Sequence, residues 1–577
     1  MNSTKLAAWT LEQKTGTRSD RHVPASQPRS PSPVRARTAV SRRTLLRSAT
    51  LTGALVWAAP ALAHAAEPVF AHGVASGDPL PDAVVLWTRV TPSPDATPGS
   101  GRGDAVDVEW AVSRDEAFTE VVANGRVTAG PSRDHTVSVD VDGLAPATTY
   151  FYRFACRGTV SAVGRTRTTA APGTTPERLR FGVASCSNWE AGFFAAYRHL
   201  AARDDLDAVV HLGDYLYEYA RGGYAGRHGA VRPHEPAHEI VSLADYRIRH
   251  AQYKTDPDLQ ALHARVPWIV TWDDHESAND AYAGGAENHD PATEGAWADR
   301  RAAALQAYLE WMPVRTAGSA GDVHLYRRFR FGDLAELSML DLRSYRDRQV
   351  PALAGAFVDA PDRSITGPAQ MEWLIGTVTT TSALWNLIGN PVMIAPLALP
   401  PLEPDETRAL TELTGIPEHG VPVNADQWDG YAADRARLFD ALAGAGRADT
   451  VFLTGDIHSS WCADLPLDPA AYPASPVVGT EMVVTSVTSK NFDEILGTPP
   501  RSTSVGIEAA VTAVNRHIRW TELDSHGYGV FEVTAQAAQM DWFFVDDPTD
   551  PAAGVRVGAS MRVPRGAGRV EPAAPLG

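Results

Sequence analysis

The stretch that decides the fold is VVHLGDYLY, residues 209–217, in which an apolar run of strand length stops at Asp214. The same pattern recurs in IVTWDDHE, residues 269–276, and in VFLTGDIH, residues 451–458. A buried strand that ends in acidic groups needs something to compensate for their desolvation, and layered sheets gather their sites at strand tips. The three stretches together predict a metallohydrolase that binds more than one ion.

A fourth stretch, LRFGVASCSN at residues 179–188, has the same form and places Cys186 just beyond the strand. A cysteine taken alone is more often a small core residue than a ligand. Its position in line with the other strand tips favours a ligand, because a metal deprotonates the thiol and a thiolate biases a site toward iron or zinc. The alternative is a single disulfide between Cys186 and Cys462.

The stretch around Asp214 supplies two candidate ligands. Gly213 lets the chain turn closely, so that the Asp214 carboxylate can bridge two cations. Tyr217 could bind as a phenolate. Because an ordinary tyrosine has a pKa near ~10, only a strongly acidic ion such as ferric iron would hold that phenolate. The alternative role for Tyr217 is an aromatic wall of the pocket.

The other two stretches pair carboxylates with imidazoles. Asp274 offers a hard oxygen ligand, and the neighbouring His275 offers a proton donor to a leaving group. Asp456 and His458 are two residues apart, and side chains at that spacing share one side of an extended segment. The spacing therefore predicts two ligands of one metal cluster.

The first 65 residues have the composition of an export signal. They hold ten Lys or Arg but only two acids, and SRRTLL at 41–46 precedes an apolar run over 51–62. Small residues at 61–65 offer cleavage sites. The pattern predicts secretion by the twin-arginine export machinery. The alternative is a membrane anchor, although the apolar run is short for a span and is interrupted by Gly and Pro.

Composition and charge narrow the class of protein. With 577 residues, 44% apolar and 21% charged side chains, the chain is typical of a globular protein of more than one domain. Without residues 1–65 it carries 67 acidic and 42 basic side chains, a formal charge of −25, which argues against a nucleic-acid-binding module. No later stretch reaches membrane-spanning length, so we expect at most peripheral membrane contact.

The chain after the signal divides into two predicted domains. Residues 68–170 contain strand-length apolar or alternating runs, and LAPATTY at 144–150 resembles the corner of fibronectin-type sandwiches, which predicts an all-β sandwich. Residues 169–176 are typical of a linker. From 177 to 577, strands alternate with helical stretches, which predicts a layered α/β or α+β domain.

The site motifs together resemble those of a known family. Asp214 and Tyr217 in Gly-Asp-x-x-Tyr, WDDHE at 272–276 and GDIH at 455–458 are similar to the motif set of PhoD-like alkaline phosphatases and phosphodiesterases, within the metallophosphoesterase superfamily. Further matching segments lie at 72–79, 340–346, 426–431 and 526–528. The likeness covers nearly all of the chain after the signal and is particularly marked toward the secreted calcium-activated phospholipase D of that family. It implies that a metallophosphoesterase domain, itself a layered sandwich, follows the β-sandwich along the chain.

The resemblance also implies a set of ligands. The residues implied to hold a ferric ion are Cys186, Asp214, Tyr217 and His458. Those implied to face calcium are Asp214, Asp274 and Asp456, with Asp273 and Asn279 as further candidates. Compared with common members of the superfamily, a thiolate and a carboxylate replace two imidazoles, which favours calcium beside iron over a site with two zinc ions.

The implied reaction is hydrolysis of a small phosphoester or a phospholipid by a metal-activated hydroxide, with His275 as proton donor. Arg343 is implied as a phosphate clamp, and a structural salt bridge is the alternative. Two other classes stay open: a β-sandwich adhesin with a degenerate hydrolase domain, and a di-zinc hydrolase of an amide or a lactone. The motifs do not distinguish monoester, diester and phospholipid substrates.

Overall fold

The computed structural model describes residues 69–315, 323–350, 358–399 and 421–577. The predicted export signal at 1–65 lies outside the described residues, so export stays a prediction. Among the described residues, no helix has the length and apolar character needed to cross a bilayer.

The strands are mostly short, and most of them are buried. In chain order they are β1 Val74–Gly77, β2 Val84–Arg89, β3 Val106–Ser113, β4 Val121–Ala129, β5 Thr136–Val141, β6 Thr149–Cys156, β7 Thr159–Val160, β8 Gly164–Arg167, β9 Arg178–Ala184, β10 Ala208–Leu212, β11 Trp268–Thr271, β12 Arg327–Phe331, β13 Ala335–Met339, β14 Trp385–Asn390, β15 Ala398–Leu399, β16 Val421–Pro422, β17 Thr450–Thr454, β18 Ser460–Pro466, β19 Val477–Val483, β20 Ile518–Glu522, β21 Gly527–Thr534, β22 Ala537–Val545, β23 Val555–Pro564 and β24 Glu571–Pro572.

The described helices lie between these strands. They are α1 Ala195–Ala201, α2 Leu243–Tyr253, α3 Pro257–Arg265, α4 Pro291–Glu294, α5 Trp297–Trp311, α6 Pro368–Thr380, α7 Ala432–Gly444, α8 Phe492–Leu496 and α9 Thr503–Val514.

Two large mixed sheets face each other. The first has ten strands in the order β24-β23-β22-β21-β9-β10-β11-β1-β2-β5, and the second has seven in the order β12-β13-β14-β17-β19-β18-β20. Apolar side chains from both sheets form one buried core cluster, to which Val210 and Ile269 contribute from the first sheet and Leu337 and Leu453 from the second. Burial of these facing side chains holds the two sheets together.

Helices cover the outer faces. A second core cluster packs α1, α2, α3 and α5 on the ten-stranded sheet, and a third packs α6 and α7 on the seven-stranded sheet. The result is a four-layer helix–sheet–sheet–helix sandwich, which confirms the predicted layered α/β fold. Within each sheet the central strands run parallel, β9-β10-β11 in one and β13-β14-β17-β19 in the other, so their carboxyl ends meet at a common edge.

The N-terminal region is all-β, as predicted. Strands β3, β4, β6, β7 and β8 form one sheet, and its core is shared with β1, β2 and β5. The predicted corner is present, because the backbone N–H of Ala145 donates to the buried Tyr150 hydroxyl at 2.9 Å.

One junction could not be inferred from the sequence. Strand β1 pairs in parallel with β11, so three N-terminal strands continue the ten-stranded sheet. Beside it, the Asp78 carboxylate accepts two hydrogen bonds from the Arg327 guanidinium, at 2.8 and 2.7 Å, and both side chains are buried. The domain boundary between 170 and 177 stays a prediction, and the residues on its two sides are joined by this sheet.

Candidate metal centre

The candidate ligands follow the tips of four strands, β9, β10, β11 and β17. Two glycines allow the strand tips to approach closely. Gly213 has φ +105°, and a Cβ there would lie 2.5 Å from the Cβ of Asp273. A Cβ on Gly455 would lie 2.8 Å from the side chain of Ser185, which belongs to the tip of β9. Any larger residue at either glycine would therefore separate loops that carry candidate ligands.

Four of the candidate ligands have left-handed backbone conformations. The φ angles are +59° at Cys186, +54° at Asp214, +63° at Asp456 and +52° at His458. A non-glycine residue in this region costs about 1–3 kcal/mol, and such residues cluster at functional sites. The prediction of an extended segment at Asp456 and His458 is wrong, because both residues lie in a left-handed turn after β17. The turn, and not strand alternation, sets where these two side chains lie.

The ligand atoms form two groups that share one carboxylate. In the first group the Cys186 thiol, an Asp214 oxygen and a His458 nitrogen all lie within 4.8 Å of one another. In the second, ligand atoms of Asp214, Asp274 and His275 do so. The Tyr217 hydroxyl lies 3.0 Å from Asp214 Oδ2 and 3.2 Å from His458 Nε2, which places it beside the first group.

Two buried oxygens in these groups lack protein partners. Within the described part of the chain, Asp214 Oδ1 and Asp274 Oδ1 are buried and have no hydrogen-bond partner. Buried polar atoms are nearly always satisfied, so these two oxygens are open to a partner from outside the chain. A cation fits both oxygens, and the mixed donor set of thiol, phenol, imidazole and carboxylate is one that metal ions accept. The residues present therefore fit a metal centre.

The carboxylates repel one another strongly. Burial, together with the nearby Asp274 and Asp273, raises the pKa of Asp214 well above its usual range. Burial and Asp273 do the same to the pKa of Asp456. Burial also raises the pKa of the Cys186 thiol and of the Tyr217 phenol. A bound cation would reverse each of these shifts, because it favours the charged form of every ligand.

The two site histidines are shifted in opposite directions. Burial disfavours the His275 imidazolium, but Asp274 and Glu218 outweigh burial and raise its pKa well above the ordinary value. Burial lowers the pKa of His458 to about 4. His458 is therefore neutral and suited to bind a metal, whereas His275 is suited to hold a proton.

The Arg343 guanidinium is held by two carboxylates. It donates to Asp273 at 2.6 and 2.9 Å and to Asp426 at 3.0 and 2.9 Å, and its side chain is only 2% exposed. The structure therefore shows the salt bridge, and the role of Arg343 as a phosphate clamp stays a prediction. Both Asp273 oxygens serve this pair, whereas Asp274 Oδ1 is unpartnered among the described residues.

Asn279, the other additional ligand candidate, is engaged by protein groups. Its Oδ1 accepts from the Tyr219 hydroxyl at 3.2 Å, and its Nδ2 donates to Glu287 at 2.9 Å. Its backbone N–H donates to Glu218 at 2.7 Å. The side-chain amide is thus held by its contacts with Tyr219 and Glu287.

The sequence patterns did not identify two buried glutamates that have structural roles in the site. Glu276 accepts from the backbone N–H groups of Asp214, Asp273 and Tyr215, at 3.2, 2.8 and 2.6 Å. Glu218 lies 2.7 Å from His275 Nδ1. Glu276 stands inside the IVTWDDHE stretch and could have been singled out there. Glu218 directly follows Tyr217 but belongs to no spacing pattern.

The disulfide alternative is wrong for the described structure. All three cysteines lie in the described residues, and Cys156, Cys186 and Cys462 are free and buried. Cys462 belongs to β18 and packs in the core between the two sheets. The Cys186 thiol is consequently available as a ligand.

Comparison with known proteins gives one consistent result. Residues 181–542 match the family model of PhoD-like phosphatases, and residues 56–170 match the model of their N-terminal domain. The chain is 38% identical to alkaline phosphatase D of Bacillus subtilis (strain 168) over 498 residues, which is 85% of this chain and 80% of that protein. A solved structure of PhoD superimposes with a TM-score of 0.77 at 35% identity, covering 89% of this chain and 94% of that one.

Proposed function

The chain belongs to the PhoD-like phosphatase family and is a phosphoric ester hydrolase, and from that membership we propose a secreted enzyme that depends on ferric iron and calcium. The observation that supports metal dependence is the Asp214 carboxylate. It lies in both groups of ligand atoms and keeps one oxygen unpartnered among the described side chains. Secretion is inferred from the twin-arginine pattern at 41–46.

The donor atoms divide between the two ions. Cys186, Tyr217 and His458 offer the thiolate, phenolate and imidazole that suit ferric iron. Asp274 and Asp456 offer the hard oxygens that suit calcium, and Asp214 can serve both. When bound, such ions supply the Lewis acidity that activates water and neutralises phosphoryl oxygens. Zinc is the alternative, and elemental analysis of the purified protein distinguishes the two assignments.

In the proposed reaction, His275 delivers a proton to the leaving group. Glu218 lies 2.7 Å from its Nδ1, and this contact favours the protonated ring. Its Nε2 then carries the other proton. An imidazolium held in this way can protonate a leaving alkoxide as the P–O bond breaks.

The experiment that tests this proposal measures activity, colour and metal content together. We expect the pure enzyme to be coloured and to hydrolyse para-nitrophenyl phosphate or its bis-ester. A mild calcium chelator should abolish hydrolysis while the colour persists, and added calcium should restore it better than magnesium does, because magnesium demands tighter octahedral geometry. Activity unaffected by chelation, or zinc without iron and calcium, would favour the di-zinc alternative.

The same assay addresses the finer substrate alternatives. Including phosphatidylcholine vesicles tests the proposed alternative of a calcium-activated phospholipase D. The formal charge of −25 makes an anionic lipid surface repulsive without bridging calcium, so chelation should lower activity on anionic vesicles further than on soluble esters. No hydrolysis of any phosphoester by metal-loaded protein would leave the adhesin alternative.

A further inference from the structure

Among the described ligand candidates, solvent exposure is greatest at Asp456 and His458. Cys186, Asp214 and Tyr217 are fully buried, whereas the Asp456 side chain is 18% exposed and His458 is half-buried. The loop that follows β17 is therefore the most open side of the cluster among the described residues. Two half-buried residues of other loops, Tyr224 and Lys490, lie on that side next to His458.

Tyr224 forms an aromatic wall beside the ligands. Its ring stacks on Tyr217 with the centroids 5.7 Å apart and an interplanar angle of 18°. The same ring lies 6.1 Å from His275 and 6.5 Å from His458, again between centroids. Tyr224 therefore borders both ligand groups, although it was not among the predicted site residues.

Lys490 supplies a positive charge at this wall. Its ammonium lies 5.1 Å from the centroid of the Tyr224 ring, and its backbone carbonyl lies 2.9 Å from His458 Nδ1. Among the described residues, no carboxylate lies within ion-pair distance of this ammonium. In a protein with a strong excess of acids, a half-buried ammonium without a counter-ion is free to bind an anion.

Both loops are fixed in place. The buried Glu190 accepts from the backbone N–H groups of Gly222 and His234 at 2.8 and 3.1 Å, which anchors the loop that carries Tyr224. Arg227 of that loop pairs with Asp493 and donates to the Thr498 carbonyl at 2.9 Å, which ties it to the segment that follows Lys490. The Lys490–Tyr224 pair is therefore a built feature of the entrance.

We propose that Lys490 determines specificity by binding a second anionic group of the substrate, one aromatic ring away from the phosphorus that is attacked. This inference rests on the phosphoester hydrolysis proposed above. Tyr224 carries the intervening part of the substrate, and its ring keeps the Lys490 ammonium in place through a cation–π contact. The preferred substrates are phosphoesters with an additional phosphate or carboxylate, and esters that lack one bind less well.

The test uses two chromogenic diesters that differ by one phosphate: thymidine 5′-(4-nitrophenyl phosphate) with and without a 3′-phosphate. The wild-type holoenzyme should show a kcat/KM about tenfold higher for the 3′-phosphorylated ester, mainly through a lower KM, as one charge-assisted contact provides. Lys490→Met should abolish this preference, and Lys490→Arg should keep most of it. Added salt should reduce it in the wild type.

A charge-matched control separates specificity from structure. Arg501→Met also removes one positive charge from this part of the chain, but Arg501 pairs with Glu508 and Glu522, so the preference should persist. A wild-type enzyme without preference overturns the proposal, as does an equal loss on both esters in Lys490→Met, which would indicate a purely structural role next to His458. If the wild type hydrolyses para-nitrophenyl phosphate but neither diester, the proposal is overturned. If it hydrolyses none of the three, the proposed function itself fails.

Discussion

Two buried clusters of titratable groups are adjacent in this protein, and they differ in how the free-energy cost of burying charged side chains is avoided. The ligand cluster around Asp214 is acidic. Directly behind it, starting at Tyr215, lies a basic cluster in which His263 Nε2 contacts the Tyr215 hydroxyl at 2.9 Å and Lys254 Nζ at 3.0 Å. The His263 ring also stacks on Trp268 with the centroids 3.9 Å apart.

In the basic cluster, burial favours the neutral forms of the side chains. Burial lowers the pKa of Lys254 and of His263 well below their ordinary values, and it lowers the pKa of His211 to about 3. Neutral bases can then pair with one another and stack on aromatic rings without any ion. Strongly shifted pKa values alone therefore do not mark a metal site. Orphaned acceptor oxygens and left-handed backbone at strand tips distinguish the acidic cluster.

The largest effect is expected for Asp214→Asn. The amide keeps the volume of the side chain but removes the charge from the residue that the two ligand groups found in the described chain share. We expect a loss of about 10³-fold or more in kcat together with loss of bound metal, measured by ester hydrolysis and elemental analysis. The control in the basic cluster is Lys254→Met, which should retain metal and most activity. Near-native metal content in Asp214→Asn would contradict the assignment.

The second effect concerns two tyrosines two residues apart. If Tyr217 binds ferric iron as a phenolate, Tyr217→Phe should bleach the visible absorption of the enzyme and lower its turnover. Tyr215→Phe removes a hydroxyl whose hydrogen-bond partner is His263 of the basic cluster, so its spectrum should match that of the wild type. Absorption spectra and circular dichroism of both variants measure the effect. Equal colour in the two variants would remove Tyr217 from the iron site.

A third, smaller effect is expected for substitution of Glu276, which binds backbone groups of residues from both clusters. Glu276 holds the backbone N–H groups of both Asp214 and Tyr215, and its side chain is completely buried. A glutamine offers one acceptor oxygen in place of two, so Glu276→Gln should cost about 1–3 kcal/mol in the free energy of unfolding. Because Asp214 would be less firmly held, activity should fall further than stability alone explains. Denaturant titration and steady-state kinetics separate the two losses.

The effect that is smallest at neutral pH is a change in the pH dependence of stability. Burial lowers the pKa of His250 from 6.5 to about 3, and neither ring nitrogen has a hydrogen-bond partner among the described residues. Between these values only the unfolded chain binds the proton, so stability is complete above pH 6.5 and falls as the pH drops. The slope is about 1.4 kcal/mol per pH unit. His250→Phe should reduce the acid dependence by that slope, as measured by unfolding between pH 4 and 7.

Much of the site follows from local sequence. An apolar run that ends at Asp214 or Asp274 predicts a strand tip, and parallel strand tips meet at one edge. The backbone at Asp456 could not be predicted, because strand alternation was assumed to continue into what is a left-handed turn. The contacts of Glu276 could not be predicted either. A carboxylate that binds backbone N–H groups of two distant loops leaves no spacing pattern in the sequence.

The pairing of β1 with β11 also limits how the protein can be shortened. A fragment that begins at the linker would uncover one edge of β11 and leave unpaired hydrogen-bonding groups there, a template for aggregation. It would also leave the buried Arg327 guanidinium without its partner Asp78, at a cost of about 3–5 kcal/mol for a broken buried pair. The N-terminal strands therefore protect one edge of the catalytic sheet. Any smaller enzyme designed from this chain needs another element that pairs with this edge.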